Sequence, residues 1–206
     1  LAEMSASSLE LNTITYSAAI DACGRSGEWV ISLQLLSEMA TSGVEMDIIA
    51  HNAAVSSCGN GGAWAKALEL MGEMAVKRVE SDTITYNAAV TACGRSGELV
   101  KALELLTDMA AKHVELDTTT YDAAIGACET DGEWSKALGL LAEMSAKSVE
   151  LNASTYNAAI SACGNGDEWA MALGLLVEMA SKRVELETAT YNAAVSACAN
   201  GVEWAQ

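Results

Sequence analysis

Residues 85–98 read TYNAAVTACGRSGE, an alanine-rich helical run with an asparagine, Asn87, directly after its only aromatic residue. Asparagine is a mediocre helix former because its amide competes for backbone groups, so its presence here needs a reason. The stretch recurs as TYDAAIGACETDGE at 120–133, TYNAAISACGNGDE at 155–168 and TYNAAVSACANGVE at 190–203. Tyr16, His51, Tyr86, Tyr121, Tyr156 and Tyr191 follow one another at a constant step of 35 residues, and Cys23, Cys58, Cys93, Cys128, Cys163 and Cys198 keep the same step. A fixed period of this length marks a solenoid, in which each unit buries its apolar face against its neighbours.

The repeats frame as residues 13–47, 48–82, 83–117, 118–152 and 153–187, with the end of a preceding repeat at 1–12 and a partial sixth at 188–206. Within 83–117, Asp82 or Thr83 can cap a first helix whose Tyr86, Ala89, Val90 and Cys93 fall on one stripe. The glycine-containing GRSG turn at 94–97 ends it. A second helix follows, with Leu99, Leu103, Leu106 and Ala110 on one face and Met109 beside them. Trp29, Trp64, Trp134 and Trp169 take the place of Leu99 in other units, and this Trp and Met stripe reads as core between repeats.

The opposite face of the first helix carries a second stripe. Ile84, Asn87 and Thr91 are spaced i, i+3, i+7, with equivalents such as Ile49, Asn52 and Ser56. Stacked repeats would align these short amides and hydroxyls along one groove, suited to reading a polymer of regular repeat. A solvated helix face is the competing reading of the same row.

Composition narrows the function classes. The 28 acidic and 11 basic residues give a net charge of −17, which argues against a strongly phosphate-tracking surface. No apolar run approaches the ~18 residues that a membrane span needs. One cysteine per repeat, on the same helix of successive units about 10 Å apart, suits buried reduced thiols rather than disulfides. There is no Cys-x-x-Cys, no cysteine and histidine cluster around His51 or His113, no paired nucleophile and base, and no phosphate-cradling loop of the Walker type. The expectation is a chain that is not an enzyme, with no catalytic residue, no metal and no cofactor, and neither a membrane nor a small molecule as partner.

The 35-residue hairpin with TYN opening its first helix, A-L-E-L-L-x-x-M in its second and Asp often closing it resembles the pentatricopeptide repeat, or PPR. The resemblance covers the whole chain. It implies an all-α fold, a right-handed α-solenoid of 35-residue helix-turn-helix repeats, which binds single-stranded RNA at about one base per repeat. It further implies that the residue after the tyrosine and the last residue of the repeat choose the base. These pairs are Ser17 with Asp47, Asn52 with Asp82, Asn87 with Asp117, Asp122 with Asn152, and Asn157 with Glu187, while Asn192 belongs to the partial repeat. By the family's code the first three imply 5′-GUU-3′; the fourth and fifth depart from it, with Asn157 leaning towards a pyrimidine. The residue two before the tyrosine would pack on bases: Ile14, Ile49, Ile84, Thr119, Ser154 and Ala189.

Two departures bear on affinity. Met46, Ser81, Leu116, Leu151 and Leu186 stand where the family has proline, which loosens the turn between repeats. At the family's phosphate-facing lysine only Arg25 and Arg95 are basic, so phosphate contact should be weak. The closing aspartates also have a simpler role open to them, as helix N-caps. The resemblance implies an address in the mitochondrion or plastid and work in organellar RNA processing, stabilisation, editing or translation. The alternative function is an acidic helical-repeat scaffold for protein–protein interaction with little RNA affinity.

Overall fold

The computed structural model describes residues 12–200; the segment before it, assigned above to a preceding repeat, and Trp204 lie outside the described residues. Among them the chain forms eleven helices and no strand: α1 (Thr13–Arg25), α2 (Trp29–Thr41), α3 (Ile48–Asn60), α4 (Trp64–Val76), α5 (Thr83–Arg95), α6 (Leu99–Ala111), α7 (Thr118–Asp131), α8 (Trp134–Ala146), α9 (Ala153–Asn165), α10 (Trp169–Ser181) and α11 (Thr188–Asn200). They divide into two compact units, Leu1–Ala92 and Cys93–Gln206. Each is a stretch of α-solenoid. In the first, α1 packs on both α2 and α3, and α3 on α4; in the second, α9 packs on α7, α10 and α11.

Local chemistry sets the start of each first helix. Asn12, Asp47, Asp117 and Asn152 are N-caps whose side chains accept from the backbone N–H three residues on, and Asp82 accepts in the same way from Thr85 N at 2.9 Å. Such a cap is worth about 1 kcal/mol, because it satisfies an N–H that the helix cannot. The second helices end on a left-handed residue, Gly43, Arg78, His113, Ser148 or Arg183, whose following valine returns its N–H to the helix, as Val79 does to Met74 O at 2.9 Å. His113 is thereby a turn residue, which explains why it shares no repeat position with His51.

The core is the Tyr and Cys stripe of the first helices against the second. Tyr86, Ala89, Val90 and Cys93 have no exposed surface. Burial pushes the thiols of Cys58, Cys93, Cys128 and Cys163 up to about 11, so they are protonated, unreactive packing groups, and all are free. On α6 the buried face is Leu99, Ala102, Leu106 and Met109. Ala110 is exposed and Leu103 only half-buried, a correction to the expected stripe. The buried face is centred on Ala102 and Met109, which leaves Leu103 and Ala110 on its flank. The tryptophans also differ from expectation. Trp29, Trp64 and Trp134 are half-buried and Trp169 is 44% exposed, whereas Met39, Met74, Met109, Met144 and Met179 are fully buried. A Cβ at Gly61 would lie 2.3 Å from Trp29 Cδ1, and one at Gly166 2.5 Å from Trp134 Cδ1. The indoles thus cover the glycine turn of the next hairpin rather than fill the core.

Polar ladders fix the hairpins. Tyr16, Tyr121 and Tyr156 donate their hydroxyls to Glu38, Glu143 and Glu178 on the paired second helix, at 3.2, 2.9 and 3.1 Å. Lys147 and Lys182 bind Glu143 and Glu178 at 2.6 and 2.7 Å. These lysines hold the two carboxyls below the usual range, with the tyrosine hydroxyls adding to the effect. A depressed folded-state value means that the stability is present above the unfolded value and is lost as pH falls through the folded one. Glu143→Gln keeps an acceptor for Tyr121 but not the charge. It should be less stable than wild type at pH 7, and the gap should close only as pH falls below the ordinary glutamate value and through the lower folded-state one, in urea unfolding followed across pH.

Candidate nucleic-acid interface

The stripe opposite the tyrosines reaches the surface. Ile14, Ile49 and Ile84, on the consecutive first helices α1, α3 and α5, are 78%, 62% and 60% exposed. That is costly exposure for large aliphatic side chains at three register-matched positions. They border an open groove of ≈ 480 Å³ in the first unit, whose wall also holds Ser17, Asp47 and Asn52. In the second unit the equivalent residues Thr119, Ser154 and Ala189 are likewise exposed but offer less apolar surface.

Side chains that the sequence pairs across 30 residues are in contact in both units. Asn52 Nδ2 donates to the two carboxylate oxygens of Asp82 at 3.1 Å each. Asn152 Nδ2 donates to Asp122 Oδ2 at 3.4 Å, so the amide and carboxylate have exchanged places while the bond persists. The closing residue is therefore both cap and partner: Asp82 holds the N–H of Thr85 while it accepts from Asn52. Burial pushes the Asp122 carboxyl up, opposed by its bonds from Thr155 and Asn152.

The remaining positions are placed as follows. Ser17 is buried, and its Oγ has no partner; Asp47 caps α3 through Ala50 N at 2.9 Å. Asn157 is half-buried with Oδ1 unpartnered, and Glu187 and Asn192 are exposed. Asn87 is half-buried on α5, and Asp117 caps α7 in a capping box with Thr120; these two belong to different units. Arg25 is exposed and ion-paired with Asp21 one turn earlier, and Arg95 is exposed at the end of α5.

Three features were not anticipated from sequence. The threonines before the tyrosines, Thr85, Thr120, Thr155 and Thr190, are fully buried. Thr85 Oγ1 donates to Asn52 Oδ1, and Thr155 Oγ1 to Asp122 Oδ1. Their recurrence at the 35-residue step was the available signal. Second, Asn60 and Asn165, which stand at a position where the family has a phosphate-facing lysine, are exposed but reach back to donate to Gly24 O at 3.2 Å and Glu129 O at 2.8 Å in the preceding hairpin. Third, every lysine is bound to a carboxylate on or beside its own second helix, from Lys66–Glu69 to Lys182–Glu178. The lysine charge of the chain is thus neutralised on the second helices. Among the described residues no group of His, Cys, Asp and Glu could hold a metal ion, and no helix is long and apolar enough to cross a membrane.

The helical hairpins, their closing caps and the register-matched stripe agree with one family profile, the pentacotripeptide-repeat region of PRORP, which matches residues 7–159. The chain belongs to the pentatricopeptide-repeat family. A PPR repeat profile also matches residues 154–184. Among solved structures, maize PPR10 is 27% identical, with a TM-score of 0.75 over 98% of this chain and 29% of the maize one. The PPR chain described here thus spans about three-tenths of that protein's length. PPR10 in complex with an 18-nt psaJ RNA element matches at 24% identity and TM-score 0.66, over 92% of this chain and 31% of that one. The PPR domain of Arabidopsis thaliana protein-only RNase P 1, in complex with tRNA, matches at 14% identity and TM-score 0.73, over 91% and 98%. At these last two identities the likeness concerns the fold. No curated protein matches the chain.

Proposed function

We propose that this PPR chain binds single-stranded RNA along the isoleucine stripe, about one base per repeat, and that its first three repeats prefer 5′-GUU-3′. The observation that carries the reading is the bonded Asn52–Asp82 pair set between exposed isoleucines. An amide and a carboxylate so joined still have oxygen lone pairs for a base edge, while Ile49 and Ile84 offer apolar surface on either side. Family membership, and the RNA held by PPR10, support it. The role that follows is recognition of a transcript segment in a mitochondrion or plastid, for processing, stabilisation, editing or translation, with any chemistry supplied by another domain or partner.

The test is fluorescence anisotropy of the chain with RNA carrying GUU, against AAA and the corresponding DNA, across a salt series. Preferential binding of GUU is expected. Among the described residues the last turns of the first helices hold two basic residues, Arg25 and Arg95, so log affinity should fall with log salt at a slope of about −1.4, the value for two phosphate contacts on a single strand. A slope steep enough for six contacts would contradict this reading of the charge. No binding at low salt would favour instead a scaffold whose acidic surface meets basic proteins, a reading motivated by the net charge of −17.

A further inference from the structure

We propose that base discrimination in each slot depends on a residue outside the reading pair: the buried threonine that begins the next repeat's core stripe, acting together with a short closing side chain to lock the reading side chain in one orientation. This inference rests on the RNA-reading function above and names a positioning device for it.

Four slots differ in whether they hold the two parts, and their hydrogen bonds differ accordingly. Slots two and four have both. Thr85 Oγ1 donates to Asn52 Oδ1 while Asp82 takes the Asn52 N–H, so both ends of that amide are engaged and it cannot flip. Thr155 Oγ1 donates to Asp122 Oδ1 while Asn152 binds Oδ2, the same arrangement although amide and carboxylate are exchanged. Slot one lacks the hydroxyl, because Ala50 stands where the others have threonine, and there Ser17 Oγ is buried without a partner. Slot five has its threonine, Thr190, but closes on Glu187, one methylene longer, and there Asn157 Oδ1 is unpartnered. Loss of either part thus coincides with an orphaned oxygen on the reading residue.

The physical consequence is specificity rather than raw affinity. An unlocked amide can present oxygen or nitrogen to the base and satisfy edges of either polarity, whereas a locked one rejects the wrong base by leaving a polar group unpaired. The threonine is fully buried and touches no base, so it acts only through the residue it holds.

The test uses the full chain. Thr85→Val, nearly isosteric, should reduce preference for U over C at the second RNA position about tenfold, roughly the value of one hydrogen bond to a charged or locked group, and Thr85→Ser should restore it. Ala50→Thr should sharpen discrimination at the first position, and Glu187→Asp at the fifth. These gains cannot arise from damage to the fold. In RNA-free protein, the Asn52 side-chain N–H groups should exchange slowly with solvent, lose that protection in Thr85→Val and regain it in Thr85→Ser. That measurement decides the lock even if the RNA-reading function fails. An Asn52 amide unaffected by Thr85→Val, or base ratios unchanged in both Thr85→Val and Ala50→Thr while GUU is bound, would overturn the proposal.

Discussion

Gly59→Ala is expected to destabilise the first unit by roughly 3 kcal/mol, a large effect for a single methyl group. The first helices α3 and α5 approach at this glycine, and a Cβ there would stand 2.7 Å from the carbonyl oxygen of Ala88. That oxygen belongs to helical backbone, which moves only if the helix moves. Gly24 meets Ser57 Cβ at 2.9 Å in the preceding contact, so the close crossing is a repeated feature of the array. Gly72, on the exposed side of α4, provides the control, because nothing lies within 4 Å of its added Cβ. There alanine should stabilise by about 1 kcal/mol, the ordinary helix-propensity gain. Urea unfolding by circular dichroism separates the two, and a Gly59→Ala chain as stable as Gly72→Ala would refute the close-approach account.

Ile49→Asp is expected to weaken RNA binding about a hundredfold with little loss of stability. Covering an aliphatic side chain is worth about 1.5–3 kcal/mol, and Ile49 lies between the first two slots, so it serves two bases; the new charge also repels the phosphates. Its 62% exposure means that the fold does not need it. Thr119, at the equivalent site of the fourth repeat, should tolerate the same substitution with a smaller loss. The readout is anisotropy with GUU RNA alongside the thermal melt. Equal losses at Ile49 and Thr119 would point to non-specific repulsion.

The architecture was legible because repetition averages out local ambiguity. A single TYNAAVTAC could be any amphipathic helix, but six copies at one step leave only a helical array, and the buried Tyr86, Ala89, Val90 and Cys93 stripe follows from its 3.6-residue spacing. The second helix was harder to read. Leu99, Leu103, Leu105 and Leu106 all stand on α6, and their pattern does not show whether Ala102 or Leu103 is buried, a choice made by what packs around the helix. Trp29 and Trp134 do pack between repeats, but at the edge of the core, where the indole roofs the glycine turn of the next hairpin, a placement that spacing alone does not give. The stripe of Ile14, Ile49 and Ile84 was found from spacing, but the hydroxyl behind it was not. A threonine next to a buried tyrosine looks like helix filler until its bond to Asn52 is seen. Asn60 and Asn165 carry the same lesson, since only the fold brings their amides to the preceding hairpin's carbonyls.

The most direct measurement is a base scan at the second RNA position, 5′-GNU-3′, for the chain and for Asn52→Ser. The unaltered chain should prefer U. In Asn52→Ser the second slot acquires the Ser and Asp pair that Ser17 and Asp47 form in the first, and by the family's code the preference should move to G, with affinity for GGU RNA rising as that for GUU falls. An equal loss of affinity for all four bases, or no change for any, would contradict base reading by this pair and with it the account of the groove.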